Sequence, residues 1–387
     1  MSLSLAKNCL IKTSIIGVLI SSIMPICALF AAQERLGSGY WTRDIHDIQP
    51  SMTFPITSQS KKIHIPIHNL IKRAEGFQRD ARLEPVYVSL PPPYSLSTQE
   101  FASSYASGAQ NIAHLHHYLI TQPAGLFHTK KSSASKKNYL RVILNPEALQ
   151  MMDLNKFTRK FSSLSHQLSL STTSSSQIKQ VSQHLLWQAK PFFHQKHLNK
   201  IKHLLNTKQT IHVHKHLLPD FAKKMYNTFV PYRGPNCFHA AVAFQEKRFL
   251  TMKRTNLRKE PKHHELMINH DELWHLLNWY FYEINPKNNP LRYGDMLVFF
   301  EIPDQLNASP NAEFRWIVHA STYLFNNYVF SKGSKSPNTP YTIKRIEDEW
   351  ETWTKVTKGK LALKVFRRSF HNLKDKSHIT NRTSWLF

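Results

Sequence analysis

The pattern that most constrains this chain lies in its C-terminal half. Gly294-Asp295 is a turn signal directly before Met296-Leu297-Val298-Phe299-Phe300, a continuous apolar run suited to a buried strand. Trp316-Ile317-Val318-His319-Ala320-Ser321-Thr322-Tyr323-Leu324 reads as the next strand. Asn326-Asn327 reads as a tight hairpin turn, and Tyr328-Val329-Phe330 as the returning strand. Upstream, a Gly234-Pro235-Asn236 turn feeds Cys237-Phe238-His239-Ala240-Ala241, which predicts a helix to about Phe249. A second helix opens at Asn269, with Glu272 in the capping-box position and Leu273, Leu276, Leu277 and Tyr280 on its apolar face. Helices first and an antiparallel sheet afterwards make an α+β pattern.

The rest of the chain is less patterned. Its 387 residues suffice for two compact domains or one with a large extension, and a hydrophobic share of 41% permits a core. The start reads Lys7, Lys12, an apolar centre at Ile15-Ile16-Gly17-Val18-Leu19-Ile20, and small residues from Ala28 to Ala32. These are the parts of a secretory signal over residues 1–31, with an uncleaved anchor helix as the alternative. Either reading exports the remainder, to the periplasm or beyond the cell. The formal charge of +26 is spread along the chain and predicts an anionic partner. A cell-envelope polymer, a membrane surface and nucleic acid would all serve.

Residues 33–161 form a basic region of mixed α and β signals. Ile63-His64-Ile65-Pro66-Ile67 alternates like a strand, with Pro66 confining it to an edge. Val86-Tyr87-Val88 and residues 139–144 are further strand candidates, and Asn145-Pro146-Glu147 signals a helix start, running to about Phe161. Residues 162–177 are rich in serine and threonine and read as a linker, followed by basic helices to residue 220 with a break at Pro191. Lys179, Lys190, Lys196, Lys200 and Lys202 share the polar face, which reads either as an anion-binding surface or as solvated helix. Residues 221–387 form the last unit.

Cys237 is the single cysteine beyond the leader, since Cys9 and Cys27 lie within it. It is either an inert core residue or a reactive one. A place in the first turn of a helix capped by Asn236 favours a thiolate. A cysteine nucleophile needs a base, a group that orients the base and donors for an oxyanion. His319 is the candidate base; the alternative is a hydrogen-bonded core histidine.

The stretch from Tyr232 to about Tyr341 resembles the NlpC/P60-type, papain-like cysteine peptidases. A turn and cysteine open a helix; Gly294-Asp295 leads into a Leu-Val-Phe-Phe strand; His319 stands on an apolar strand ending in Tyr-Leu and an Asn turn. Gly-Pro-Asn-Cys-Phe, Gly-Asp-Met-Leu-Val-Phe, His-Ala-Ser-Thr-Tyr-Leu and Val-Phe-Ser-Lys-Gly look like a divergent bacterial branch. The resemblance implies a cysteine helix packed on an antiparallel sheet, Cys237 as nucleophile and His319 as base. By position the third polar residue falls on Ser331, with Asn326 or Asn327 as substitutes, and Tyr232 falls where a tyrosine lines the cleft. Asn236, beside the nucleophile, joins Tyr232 as a substrate-binding candidate. Family members cleave amide bonds of peptidoglycan stem peptides.

Other patterns carry less. His263-His264-Glu265 lacks the second histidine of a zinc-protease motif, Ile268 standing in its place. His270, Asp271 and His275 make better sense at a helix start than as ligands. His212, His214 and His216 would share one face if extended. His239, two residues beyond Cys237, faces away on a helix. No glycine-rich phosphate loop and no nucleic-acid motif is present, so no cofactor is expected and nucleic acid has only charge in its favour. The expected function is an exported cysteine amidase or peptidase acting on peptidoglycan. An acyltransferase or deamidase acting on lipid or protein is one alternative, and an inactive basic envelope-binding protein on the same fold is another.

Overall fold

The computed structural model describes residues 40–80, 83–90, 128–131, 138–144, 146–151, 161–171, 174–207, 210–245, 267–302 and 316–369. The leader, the His263-His264-Glu265 motif and the end of the helix opened by Pro146 lie outside them. Along the chain run β1 (Ile56–His64), α1 (Ile67–Arg79), β2 (Val86–Leu90), β3 (His128–Lys131), β4 (Asn138–Leu144) and α2 (Pro146–Met151). Next come β5 (Ser162–Leu170), α3 (Ser175–Ala189), α4 (Gln195–Asn206), β6 (Ile211–His212) and α5 (Cys237–Gln245). The last group is α6 (His270–Tyr280), β7 (Phe281–Ile284), β8 (Met296–Ile302), β9 (Ile317–Tyr323), β10 (Tyr328–Lys332), β11 (Tyr341–Arg345), α7 (Ile346–Val356) and β12 (Lys360–Arg368). No helix among the described residues is long and apolar enough to cross a membrane.

The architecture is α+β with antiparallel sheets. The largest among the described residues has the order β11-β10-β9-β8-β12-β7. Its central strand β8 is apolar and buried from Met296 to Phe300 because both faces are covered there. Met296, Val298 and Phe300 pack with Cys237, Ala241 and Leu277 on one face, while Leu297 and Phe299 pack with Val329 and Trp353 on the other. Burying each such side chain stabilises the fold by roughly 1.5–3 kcal/mol. The α6 start carries the expected capping box, with the Asn269 N–H donating to Glu272 Oε2 at 2.6 Å.

The turn before β8 needs glycine. Gly294 has φ +89°, and a Cβ there would lie 2.0 Å from Phe192 Cζ. Asp295 then accepts from Arg367 Nε at 2.9 Å and Nη2 at 2.8 Å, tying the turn to β12.

Two expectations change. Residues 162–170 are not a linker: β5 pairs antiparallel with β1 from Ser162 opposite His64 to Leu170 opposite Ile56. The serine content masks the alternation of His166, Leu168 and Leu170, which point inward. At the edge of that sheet, β1 ends at His64, and Pro66, which cannot donate to a ladder, caps α1 instead. The division at residue 221 is also not a gap in packing. Leu168, Val181, Ile201 and Ile211 share one core with Phe244, Tyr293, Phe330 and Ile343. The helices broken at Pro191 form as expected, and their five lysines are all exposed.

Candidate active site

Asn236 builds the start of α5. Its Oδ1 accepts from the His239 N–H at 3.0 Å, and its carbonyl from the Ala240 N–H at 3.1 Å. Its Nδ2 donates to the Ile268 carbonyl at 2.6 Å, which joins this turn to the segment leading into α6. Cys237 therefore occupies the first helical turn, with 6% of its surface exposed. The helix dipole places partial positive charge there.

His319 lies on β9 opposite Phe299, beside a bulge in the pairing of β8 with β9. Its ring stacks on Trp353 of α7, centroids 4.8 Å apart, and tilts against Phe299 at 5.3 Å. Nε2 is engaged by the Glu349 carboxylate and lies 3.3 Å from Ser331 Oγ. The other carboxylate oxygen of Glu349 is 3.3 Å from Lys344 Nζ. His319 Nδ1 makes no hydrogen bond, yet the imidazole feels the Cys237 thiol electrostatically. Cys237 is close enough to the ring to favour its protonated form.

Burial and charge oppose each other here. Burial disfavours an imidazolium at His319, but Glu349, and after it Cys237, outweigh burial and push its pKa up to about 9. Burial would likewise raise the Glu349 pKa, but His319, Lys344 and Ser331 hold it well below the ordinary carboxylate range. Glu349 thus holds the ring at Nε2 in the interior and favours its protonated form. Such an arrangement orients the ring and leaves Nδ1 for the thiol.

The structure thus gathers Cys237, His319 and Ser331 and leaves the other candidates elsewhere. Asn326 sits at the β9–β10 turn, the end of β9 remote from His319, with φ +55°. Its Oδ1 accepts from the Phe54 N–H at 2.8 Å and its Nδ2 donates to the Phe54 carbonyl at 3.0 Å, so it is a clasp and does not orient the base. Asn327 donates to Glu347. Tyr232 packs against Gly76 of α1, and its hydroxyl reaches the Lys72 carbonyl at 3.4 Å. The side chain of Asn236 is occupied by backbone partners, which makes it a helix cap in this fold. His239 turns away as expected, its Nδ1 2.9 Å from the Tyr341 hydroxyl.

Glu349 escapes a reading by motif, because Glu347, Asp348 and Glu349 look like acids complementing a helix start. One signal was present. Ile346, Trp350 and Trp353 form an apolar stripe, and Glu349 stands within it at the i+3 position. An acid on an apolar face needs a buried partner.

Around the site, Arg73 of α1 donates to Asn338 Oδ1 at 2.7 Å and Asn69 to the Phe229 carbonyl at 2.8 Å. The Gly234 N–H donates to the Lys335 carbonyl at 3.3 Å. The loops flanking Cys237 are thereby tied to each other and to α1. His212, His214 and His216 do not share one extended face: after β6, residues Val213–His216 turn into a short helix, which removes the alternation. Among the described residues no group of three side chains could hold a metal ion.

In comparisons with known proteins, no family model, no curated protein and no solved structure matches the chain.

Proposed function

We propose that this protein is a thiol-dependent amidase or peptidase on a papain-like, NlpC/P60-type scaffold. The observation that carries the reading is the buried contact of Cys237, at a helix N-terminus, with an imidazole held from behind by Glu349. The Cys237 proton passes to His319 Nδ1. The thiolate Sγ attacks an amide carbonyl, and the backbone N–H at the start of α5 helps hold the oxyanion. The C–N bond breaks as the imidazolium gives its proton to the leaving amine. Water then attacks the thioester, returning the thiol and releasing the acid. Acid–base assistance of this kind supplies about 10²–10⁴ in rate.

Peptidoglycan stem peptides are the substrate class we favour. The motif resemblance, the leader-like start and the +26 charge, suited to anionic envelope polymer, all support it. Full-length protein is incubated with sacculi and defined stem peptides beside Cys237→Ala and His319→Ala, with products read by mass spectrometry. Cleavage lost in both variants is the expected result. Sacculus binding without cleavage in all three proteins removes the hydrolase reading and leaves the envelope-binding one.

A further inference from the structure

From residue 154 to residue 219 the chain carries no acidic side chain, while lysines and histidines recur throughout. A solvated helix face ordinarily mixes both signs, so that each charge has an opposite neighbour. No such pairing is available within this stretch. On α4 the exposed residues Lys196, Lys200 and His203 follow at i+4 and i+3 spacing, which puts them on one face. The opposite face, Leu198, Ile201 and Leu205, is buried, so the helix is fixed with its cations outward.

The fold brings further cations to this face. His197 Nε2 lies 2.7 Å from the His216 carbonyl, which joins α4 to the short helix Val213–His216. His212 stands opposite Ser169 of β5, 3.0 Å from its hydroxyl, and its ring lies 5.8 Å from that of His214, the planes inclined by 38°. The His214 ring stacks on Tyr226, whose hydroxyl donates to the carbonyl of His166, next to Ser165, the partner of Lys61 on β1. Lys215 is exposed among these histidines, and Lys223 is exposed on the following helix, Asp220–Met225. Of the carboxylates, Asp348 of α7 lies 3.9 Å from His166 Nε2, and Asp220 is exposed at the start of its helix. Neither offsets the cations at the inner histidines. Burial, and after it only cations, led by His212 at His214 and by Lys200 at His216, hold both pKa values below the usual histidine value.

Like charges gathered this way repel one another, and a bound anion relieves the repulsion. The occupant is narrowed by what the face lacks. The apolar side chains of α4 are taken up by the core, so the helix has none left to enter a lipid interface. The aromatic rings beside the histidines, Phe193 and Tyr226, are each already stacked, by His197 and His214, and are not open platforms for bases. Two imidazoles with inclined planes suit a tetrahedral phosphate, whose oxygens diverge, better than a planar carboxylate.

We propose that the face formed by α4, the Val213–His216 helix and Lys61 of β1 is a docking surface for a linear polymer of phosphate groups, gripped through its charge. This gives a place and a chemistry to the anionic partner that the overall charge predicts. It needs no catalytic step, so it stands apart from the function proposed above.

The test titrates the full chain against fluorescently labelled inorganic polyphosphate, with binding followed by anisotropy. Lys200→Gln combined with Lys215→Gln is expected to weaken binding about tenfold. Lys358→Gln combined with Lys360→Gln removes the same charge from exposed positions around the start of β12, and is expected to stay within about twofold of wild type. Equal weakening in the two pairs would leave net charge as the only attraction and overturn the proposal. Wild-type binding is expected to tighten from about pH 7.5 to about pH 5.5, because a bound phosphate favours the imidazolium form. His212→Gln combined with His216→Gln should remove most of that gain, and a gain that survives it unchanged overturns the proposal. Should the histidine variant fail to fold, the lysine pair, exposed at both positions, still decides. Competition sorts the partners: polyglutamate of equal charge, single-stranded DNA and phosphatidylglycerol vesicles are all expected to displace the label less well than unlabelled polyphosphate. Equal competition by polyglutamate would mean that phosphate is not read. Stronger competition by DNA would point to base contacts, and by vesicles to a lipid surface; each of these results overturns the proposal.

Discussion

Glu349 reaches from α7 to Nε2 of His319 on β9, and both side chains are almost wholly removed from water. Neutralising the acid while keeping its shape isolates its charge. In Glu349→Gln the ring keeps its stack on Trp353, but the largest influence left on its pKa is burial, which lowers it. We predict that its midpoint falls from about 9 to below about 6.5. Turnover in the amide hydrolysis proposed above should fall about 10²-fold. Histidine NMR and steady-state kinetics read the two effects, and an unshifted midpoint would mean that Glu349 does not set the charge state.

The same pair makes stability depend on pH with a defined sign. A histidine whose folded pKa is raised to about 9 stabilises the fold fully below its unfolded value of about 6.5. That contribution is lost as pH rises through about 9. Lys332, with its lowered folded pKa, adds a rise of stability with pH above about 7, so the wild-type curve alone mixes two signs. The difference between wild type and His319→Gln is free of that mixture. Chemical denaturation should show it largest near pH 6 and shrinking toward zero above about pH 9. A difference that grows with pH would contradict the ion pair.

Asn236 tests the meaning of a helix cap beside the proposed nucleophile. Asn236→Ala should cost about 0.5–2 kcal/mol of stability, through loss of the bond to the His239 N–H. Its effect on turnover should be in kcat, through a displaced Cys237, with KM within about twofold. A rise in KM alone would make Asn236 a substrate contact after all.

Gly294 is required by geometry. Gly294→Ala forces a positive φ on a residue with a Cβ and drives that Cβ into the Phe192 ring. We expect a loss of at least about 1–3 kcal/mol in urea denaturation. A loss below about 0.5 kcal/mol would show that Phe192 yields freely.

Access to the thiol should answer to α1. Arg73, itself buried, holds Asn338 in the loop that is tied to the turn before Cys237. A hydrogen bond from a charged donor is worth about 1.5–3 kcal/mol. Arg73→Ala is therefore expected to speed alkylation of Cys237 about tenfold at fixed pH. Unchanged alkylation would place the route to the thiol elsewhere.

Much of the C-terminal half was legible because local signals and tertiary demands coincide there. The capping box at Asn269, the turn at Gly294, the apolar run of β8 and the Asn326 hairpin each carry their own chemistry within a few residues. Cys237 and His319 could be picked out because a thiol at a helix start and a histidine on an apolar strand are conspicuous. Glu349 was hidden because its partners are remote in sequence while its neighbours supply an ordinary local explanation. Ser331 is placed by its sequence position alone, and its hydroxyl does lie beside His319 Nε2, together with the Glu349 carboxylate that no local motif marks. Residues 162–170 misled because serine content signals loops on average, whereas strand formation there depends on pairing with β1, about a hundred residues earlier.

The clasp between Asn326 and the backbone of Phe54 bears on how such a chain could have been assembled over time. The hairpin that follows the histidine strand closes on a segment lying far upstream, and Phe54 enters the same core as Phe325. The N-terminal half is consequently not a cassette that recombination could exchange at residue 221. A gene fusion made there would inherit the catalytic-looking residues without the wall they lean on, so the two halves are expected to travel and diverge as one unit.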